Sequence, residues 1–164
     1  MILGFKNKAK IKIVFSLTKK DSADMDWDVI TNALGITPTK ISPPKISRGR
    51  ISKEYSKEEI ERDMPWCTII SGDSLYHKYI VHGSYSFESP EMNSIWVDQC
   101  LKQFEKSFQD KDQVISRICE EHGMYANLII KLYGPKKDFP YLEIPKESVE
   151  FWGKAGTSIR FEFL

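Results

Sequence analysis

Apolar and polar residues alternate through Lys-Ile-Lys-Ile-Val-Phe-Ser-Leu at 10–17 and put Ile11, Ile13, Phe15 and Leu17 on one side of the chain. That period of two predicts a half-buried strand. The pattern then changes. Asp26 can accept the free amides of a first helical turn, Met25 and Ile30 have the spacing of a hydrophobic staple, and Leu34-Gly35 ends the helix in the left-handed conformation that glycine tolerates. Two aromatic and β-branched runs, Trp66–Ser71 and Tyr76–Phe87, predict a hairpin around Gly72-Asp73-Ser74. Ser89-Pro90 predicts a helix start, followed by a stripe of Met92, Ile95, Trp96, Cys100, Leu101, Phe104 and Phe108 at steps of three and four. Asp110 and Gln113 have capping-box spacing for a further helix lined by Val114, Ile115, Ile118 and Cys119 and stopped by Gly123. Residues 125–133 predict a strand, Pro145 a short helix through Trp152 ended by Gly153 or Gly156, and Ile159, Phe161 and Phe163 a last strand.

Strands and helices mixed in this order predict an α+β fold, an antiparallel or mixed sheet with helices packed mainly on one face. Strand, polar loop, short helix, glycine and extended segment recur near both ends, an echo consistent with internal strand-helix-strand duplication. A chain of 164 residues has the size of one domain, so 1–164 is read as a single α+β domain. Residues 38–65 stand apart in it. Pro38, Pro43 and Pro44 interrupt regular structure, Arg48-Gly49-Arg50 reads as a turn, and Lys57–Asp63 allows a short helix within an exposed basic insertion.

Composition narrows the compartment and excludes little else. Met1–Leu17 alternates lysine with apolar residues rather than forming the apolar stretch of a secretory signal, and no apolar run approaches the roughly 20 residues of a membrane span. A cytoplasmic protein is expected. Three widely spaced cysteines, Cys67, Cys100 and Cys119, fit a reducing compartment better than a disulfide framework. The formal net charge of +1 gives no global attraction to nucleic acid. Its distribution is uneven: 38–57 holds six basic residues against Glu54, a net +5, and 88–121 holds eight acids against four bases, a net −4. Such polarity can steer a protein partner.

Candidate chemistry is sparse. His77 and His82, read in one strand at odd separation, point to opposite faces and cannot share a metal; His122 lies three residues after Cys119 but within no zinc-ligand pattern. Asp21, Asp24, Asp26 and Asp28 lack the glycine and terminal glutamate of a calcium loop, and the glycines form no phosphate-binding loop. No metal or other cofactor is expected. A nucleophile would be Cys67 with His77 or His82 as base across the hairpin, although a cysteine beside Trp66 is more simply a core residue. Arg48, Arg50 and Lys53 near Tyr55 could grip phosphate, but without interleaved aromatics nucleic-acid binding is a weak alternative.

The opening strand, the Asp-Val-Ile-Thr-Asn-Ala-Leu-Gly-Ile-Thr-Pro-Thr stretch at 28–39, the Trp66 strand, the paired helices and the Ile144–Phe163 ending, taken in order, resemble a bacterial family known as domain of unknown function 4279. The chain departs from it in the basic, proline-rich insertion after Thr39 and in the Phe161-Glu162-Phe163 ending, where an Asp-x-Tyr-like ending is expected. The shared motifs are scaffold motifs and carry over no catalytic residue. What the resemblance implies is a role similar to that of immunity proteins, which neutralise a bacterial contact-dependent or polymorphic toxin by covering its active site. The expectation is therefore a protein-binding module rather than an enzyme, its partner a cognate toxin and not a membrane. The candidate contacts are Asp98, Glu105 and Glu121 on the acidic helices, or Arg48, Arg50 and Tyr55 on the basic insertion.

Overall fold

Two ten-residue strands, β1 (Lys10–Lys19) and β7 (Met124–Tyr133), pair antiparallel along their whole length and form the centre of the fold. The computed structural model describes residues 9–21, 23–50, 58, 62, 67–72 and 76–164. The expected alternation of β1 is present, and its register explains the burial: Ile11, Ile13, Phe15 and Leu17 stand opposite Leu132, Ile130, Leu128 and Ala126, all buried. β6 (Ser84–Glu88) extends this row with Tyr85 and Phe87, and β8 (Thr157–Phe163) extends it with Ile159 and Phe161. With β2 (Lys40–Ser42) at the far edge, the order is β2-β6-β1-β7-β8, antiparallel except for the parallel pair β7–β8. The fold is α+β with a mixed sheet, as expected.

The described helices bury their apolar sides against this one row. They are α1 (Trp27–Leu34), α2 (Val97–Glu105), α3 (Asp112–His122) and α4 (Lys146–Lys154). They contribute Trp27, Ile30, Leu34, Val97, Cys100, Leu101, Ile115, Ile118 and Trp152 to the core. Its centre is aromatic: the Phe15 ring lies 5.2 Å from Phe108 in an edge contact and 5.1 Å from Trp152, and Phe87 meets Phe108 edge-on at 5.1 Å. Large rings in edge contact combine area burial with favourable quadrupole geometry. Tyr85 ties α1 to the sheet, its hydroxyl 2.7 Å from Thr31 Oγ1 and donating to the Ile36 carbonyl.

Local signals place α1 as expected. The Asp26 carboxylate accepts from the Asp28 amide, and Gly35 has φ 67°. Gly123 likewise ends α3 at φ 59°. The other helix starts differ from expectation. Ser89 caps no helix, because its Oγ accepts the Ile13 amide 2.9 Å away and Met92 bridges to Ile11. Residues 89–92 thus continue alongside β1, and α2 begins only at Val97. Asp110 is not a cap either: its φ is 61°, and Lys111 precedes α3 without a side-chain cap.

The insertion also differs, whereas the expected hairpin pairing is present, with Gly72 opposite His77. A second sheet, ordered β3-β5-β4, is built from β3 (Lys45–Arg50), β4 (Cys67–Gly72) and β5 (Tyr76–Val81). The basic stretch therefore supplies β2 to one sheet and β3 to the other, with Pro43-Pro44 between them. Arg48-Gly49-Arg50 is strand rather than turn, opposite Lys78, His77 and Tyr76. Such short strands are held by backbone pairing and lack a hydrophobic alternation that sequence could reveal. The helix expected at 57–63 falls mostly outside the described residues, though Glu58 and Arg62 are helical. The strand expected over 76–87 divides at His82-Gly83, its halves joining different sheets. Gly83 allows this because a Cβ there would lie 2.9 Å from the Trp27 ring and 3.1 Å from Pro44 Cδ. The echo between the two ends is topological: β7-α4-β8 joins adjacent parallel strands, whereas β6 lies between β1 and β2.

Candidate functional site

Trp96 falls within the expected helical stripe but lies just outside α2, as its N-cap residue in extended conformation. The turn is set by Ser94, whose Oγ accepts the Trp96 amide at 3.0 Å. The indole thereby escapes the core and stacks on Tyr141 from the segment before α4, with centroids 5.8 Å apart and planes 7° from parallel. Trp96 is 42% exposed and Tyr141 57% exposed. Two residues beyond each ring stands a carboxylate, Asp98 and Glu143. Both line a groove of about 510 Å³ with Lys102, Ile144, Pro145 and Lys146.

Glu105, at the end of α2, is half-buried, and its two carboxylate oxygens accept from Trp152 Nε1 at 2.7 Å and Ser148 Oγ at 2.9 Å, both on α4. Trp152 is fully buried and Ser148 nearly so. Glu105 therefore clamps α2 to α4. The expected acidic surface is in fact divided. Glu88 pairs with Lys12, Glu91 with Lys10, and Glu121 on α3 faces Arg117 at 4.0 Å. Asp98 is thus the one expected acidic residue that lines the groove. Arg48 and Arg50 lie on β3 in the other sheet, and Tyr55 is outside the described residues.

The hairpin places Cys67 opposite Val81, the residue before His82, and puts His77 at its other end, opposite Gly72. Cys67 is buried in β4, and His82 is buried between β5 and β6 with Nε2 2.7 Å from Thr68 Oγ1. Burial holds the His82 pKa below its ordinary value, against a smaller opposing effect of the Lys19 backbone. Tyr125 of β7 is pushed up to about 12, chiefly by burial, with Thr18 opposing and Cys67 a further contributor. Burial raises the Cys100 thiol, and that of Cys119 to about 11, which keeps both in the weakly nucleophilic thiol form. Among the described residues no three His, Cys, Asp or Glu side chains converge as a metal site, and no helix is long and apolar enough to cross a membrane.

A second depression, of about 300 Å³, lies among residues 36–39, 87–92 and the end of α2, floored by Phe87, Phe104 and Phe108. Its rim hydroxyls have backbone partners: Thr39 Oγ1 accepts the Glu88 amide and Ser89 Oγ the Ile13 amide. The aromatic pair is the more prominent feature, and sequence reasoning missed it because Trp96 satisfies the helical period of the buried stripe. No family model matches the chain, nor does any curated protein or solved structure.

Proposed function

We propose that this chain is a protein-binding module, most specifically a cytoplasmic immunity protein that neutralises a bacterial toxin by covering its active site. The observation that carries the reading is the exposed, mutually stacked Trp96–Tyr141 pair beside the Asp98–Glu143 groove. Trp and Tyr dominate the energetic centres of protein interfaces, because a rigid ring buries a large area with little loss of side-chain freedom. Stacking restricts each ring further, so less entropy remains to be lost on binding. Asp98 and Glu143 supply acceptors for a partner's basic side chains, while Lys102 and Lys146 set orientation at the same groove. Support for the toxin as partner comes from the scaffold resemblance.

The test is co-expression with the toxic domain encoded beside the gene. The wild-type chain is expected to restore growth, and Trp96→Ala/Tyr141→Ala, folded to the same thermal midpoint, is expected not to. Killing that persists despite good expression of the wild type would count against the proposal.

A further inference from the structure

The outer edge of β8 is the end of the five-stranded sheet and pairs with no other strand among the described residues. Its hydrogen-bond parity can be read from the last residue. The Leu164 amide donates to the Leu132 carbonyl at 2.9 Å, and the Leu164 carbonyl accepts from the Gly134 amide at 3.2 Å. Both polar groups of Leu164 thus point at β7. In a parallel ladder this alternates, so Ser158, Arg160 and Glu162 also address β7, whereas Ile159, Phe161 and Phe163 present their amides and carbonyls to the free edge.

An added antiparallel strand must match outward-facing residues with outward-facing residues. Should that strand be a second β8, three central registers satisfy the rule. Centred on residue 160, Arg160 faces its own copy; centred on 162, Glu162 faces its own copy. Centred on 161, each Arg160 faces the other chain's Glu162. These facing residues occupy the non-hydrogen-bonded positions, where side chains approach most closely and charge sign matters most. Phe161 then faces Phe161, and Ile159 faces Phe163, which is 42% exposed in the single chain. Within one chain Arg160 and Glu162 already lie 3.1 Å apart, so the pairing creates a four-charge network. Charges of one sign on an edge strand prevent such pairing, but opposite charges two residues apart select one register of it.

We propose that β8 pairs antiparallel with β8 of a second copy of this chain, centred on Phe161, to join two five-stranded sheets across a two-fold axis. The contact is isologous and closes on itself, so it produces a dimer and not a filament. It uses none of the residues of the aromatic groove and stands whether or not the toxin reading holds.

The test is sedimentation over a concentration series with charge-swap variants. Wild type is expected to rise from 19.0 kDa at low micromolar concentration towards twice that mass near millimolar. Arg160→Glu and Glu162→Arg each place like charges in both cross-strand pairs, and each should weaken association at least tenfold. The double swap Arg160→Glu/Glu162→Arg restores opposite charges and should recover most of the lost affinity. Amide exchange gives a second readout: on raising the concentration, Ile159, Phe161 and Phe163 should gain protection. That readout also decides the matter should Glu162→Arg disturb folding beside Lys131, which lies 4.0 Å from Glu162. A monomer throughout, single reversals that dimerise as well as wild type, or concentration-dependent protection elsewhere than β8 would overturn the proposal.

Discussion

Glu105→Ala separates structure from steering at the acidic helices. Glu105 carries one of the charges that sequence alone would assign to a binding face, yet both its oxygens hold donors on α4. Removal leaves the Trp152 Nε1–H without its acceptor in a fully buried setting, and the rigid indole cannot turn to find another. An orphaned buried donor costs about 1–3 kcal/mol, so about 2 kcal/mol is assigned to Trp152. The Ser148 hydroxyl can rotate towards a carbonyl of its own helix, which limits its share to about 1 kcal/mol. The total of about 3 kcal/mol lowers the thermal midpoint by about 9 °C for a domain of this size. Glu105→Gln keeps an acceptor for Trp152 and offers an amide to Ser148, so a fall of only about 3 °C is expected. The assay is calorimetric unfolding of both variants, repeated in a Trp152→Phe background, where the Glu105→Ala penalty should shrink by about 2 kcal/mol. A Glu105→Ala midpoint within about 2 °C of wild type, or an undiminished penalty beside Phe, would refute the clamp.

Three other outcomes follow from the same geometry. Gly83→Ala would press a methyl group against Trp27 and Pro44, and should lower the urea midpoint by the equivalent of about 1–3 kcal/mol. Cys119, with its thiol at about 11 against the ordinary 9.0, should alkylate at pH 8 about a hundredfold more slowly than an unperturbed thiol, as read by mass-resolved iodoacetamide labelling. Burial lowers the His82 pKa below 6.5, so below that pH the unfolded chain binds the proton more readily. The stability due to neutral His82 is therefore complete above pH 6.5 and declines as pH falls towards the folded pKa. His82→Gln should flatten that decline in urea titrations between about pH 7 and 5, and an unchanged slope would assign it to another group.

Elements with local signatures were legible in the sequence. Asp26, Ile30 and Gly35 specify α1 within a single segment, and the alternation of β1 and β7 needs only one buried face. Features that depend on distant residues were not legible. Ser89 has the chemistry of a helix cap, but the Ile13 amide on β1 claims it, so the start of α2 depends on a strand 76 residues away. Gly83 reads as an ordinary strand glycine until Trp27 and Pro44 close on either side. The candidate site shows the same division. Asp98 was identifiable as a surface charge, whereas Glu105 was indistinguishable from it until Trp152 was placed beside it. Trp96 and Tyr141 lie too far apart in sequence for their stacking to leave any periodic trace.

The central claim is that this chain binds a protein partner through the Trp96–Tyr141 surface. The most direct measurement is the binding kinetics of the purified chain and its Trp96→Ala and Tyr141→Ala variants with the immobilised toxic domain. Truncating an interface anchor costs about 2 kcal/mol or more, so each variant should bind about thirtyfold more weakly, almost wholly through faster dissociation. Wild-type affinity retained by both variants, at unchanged thermal midpoints, would contradict the claim.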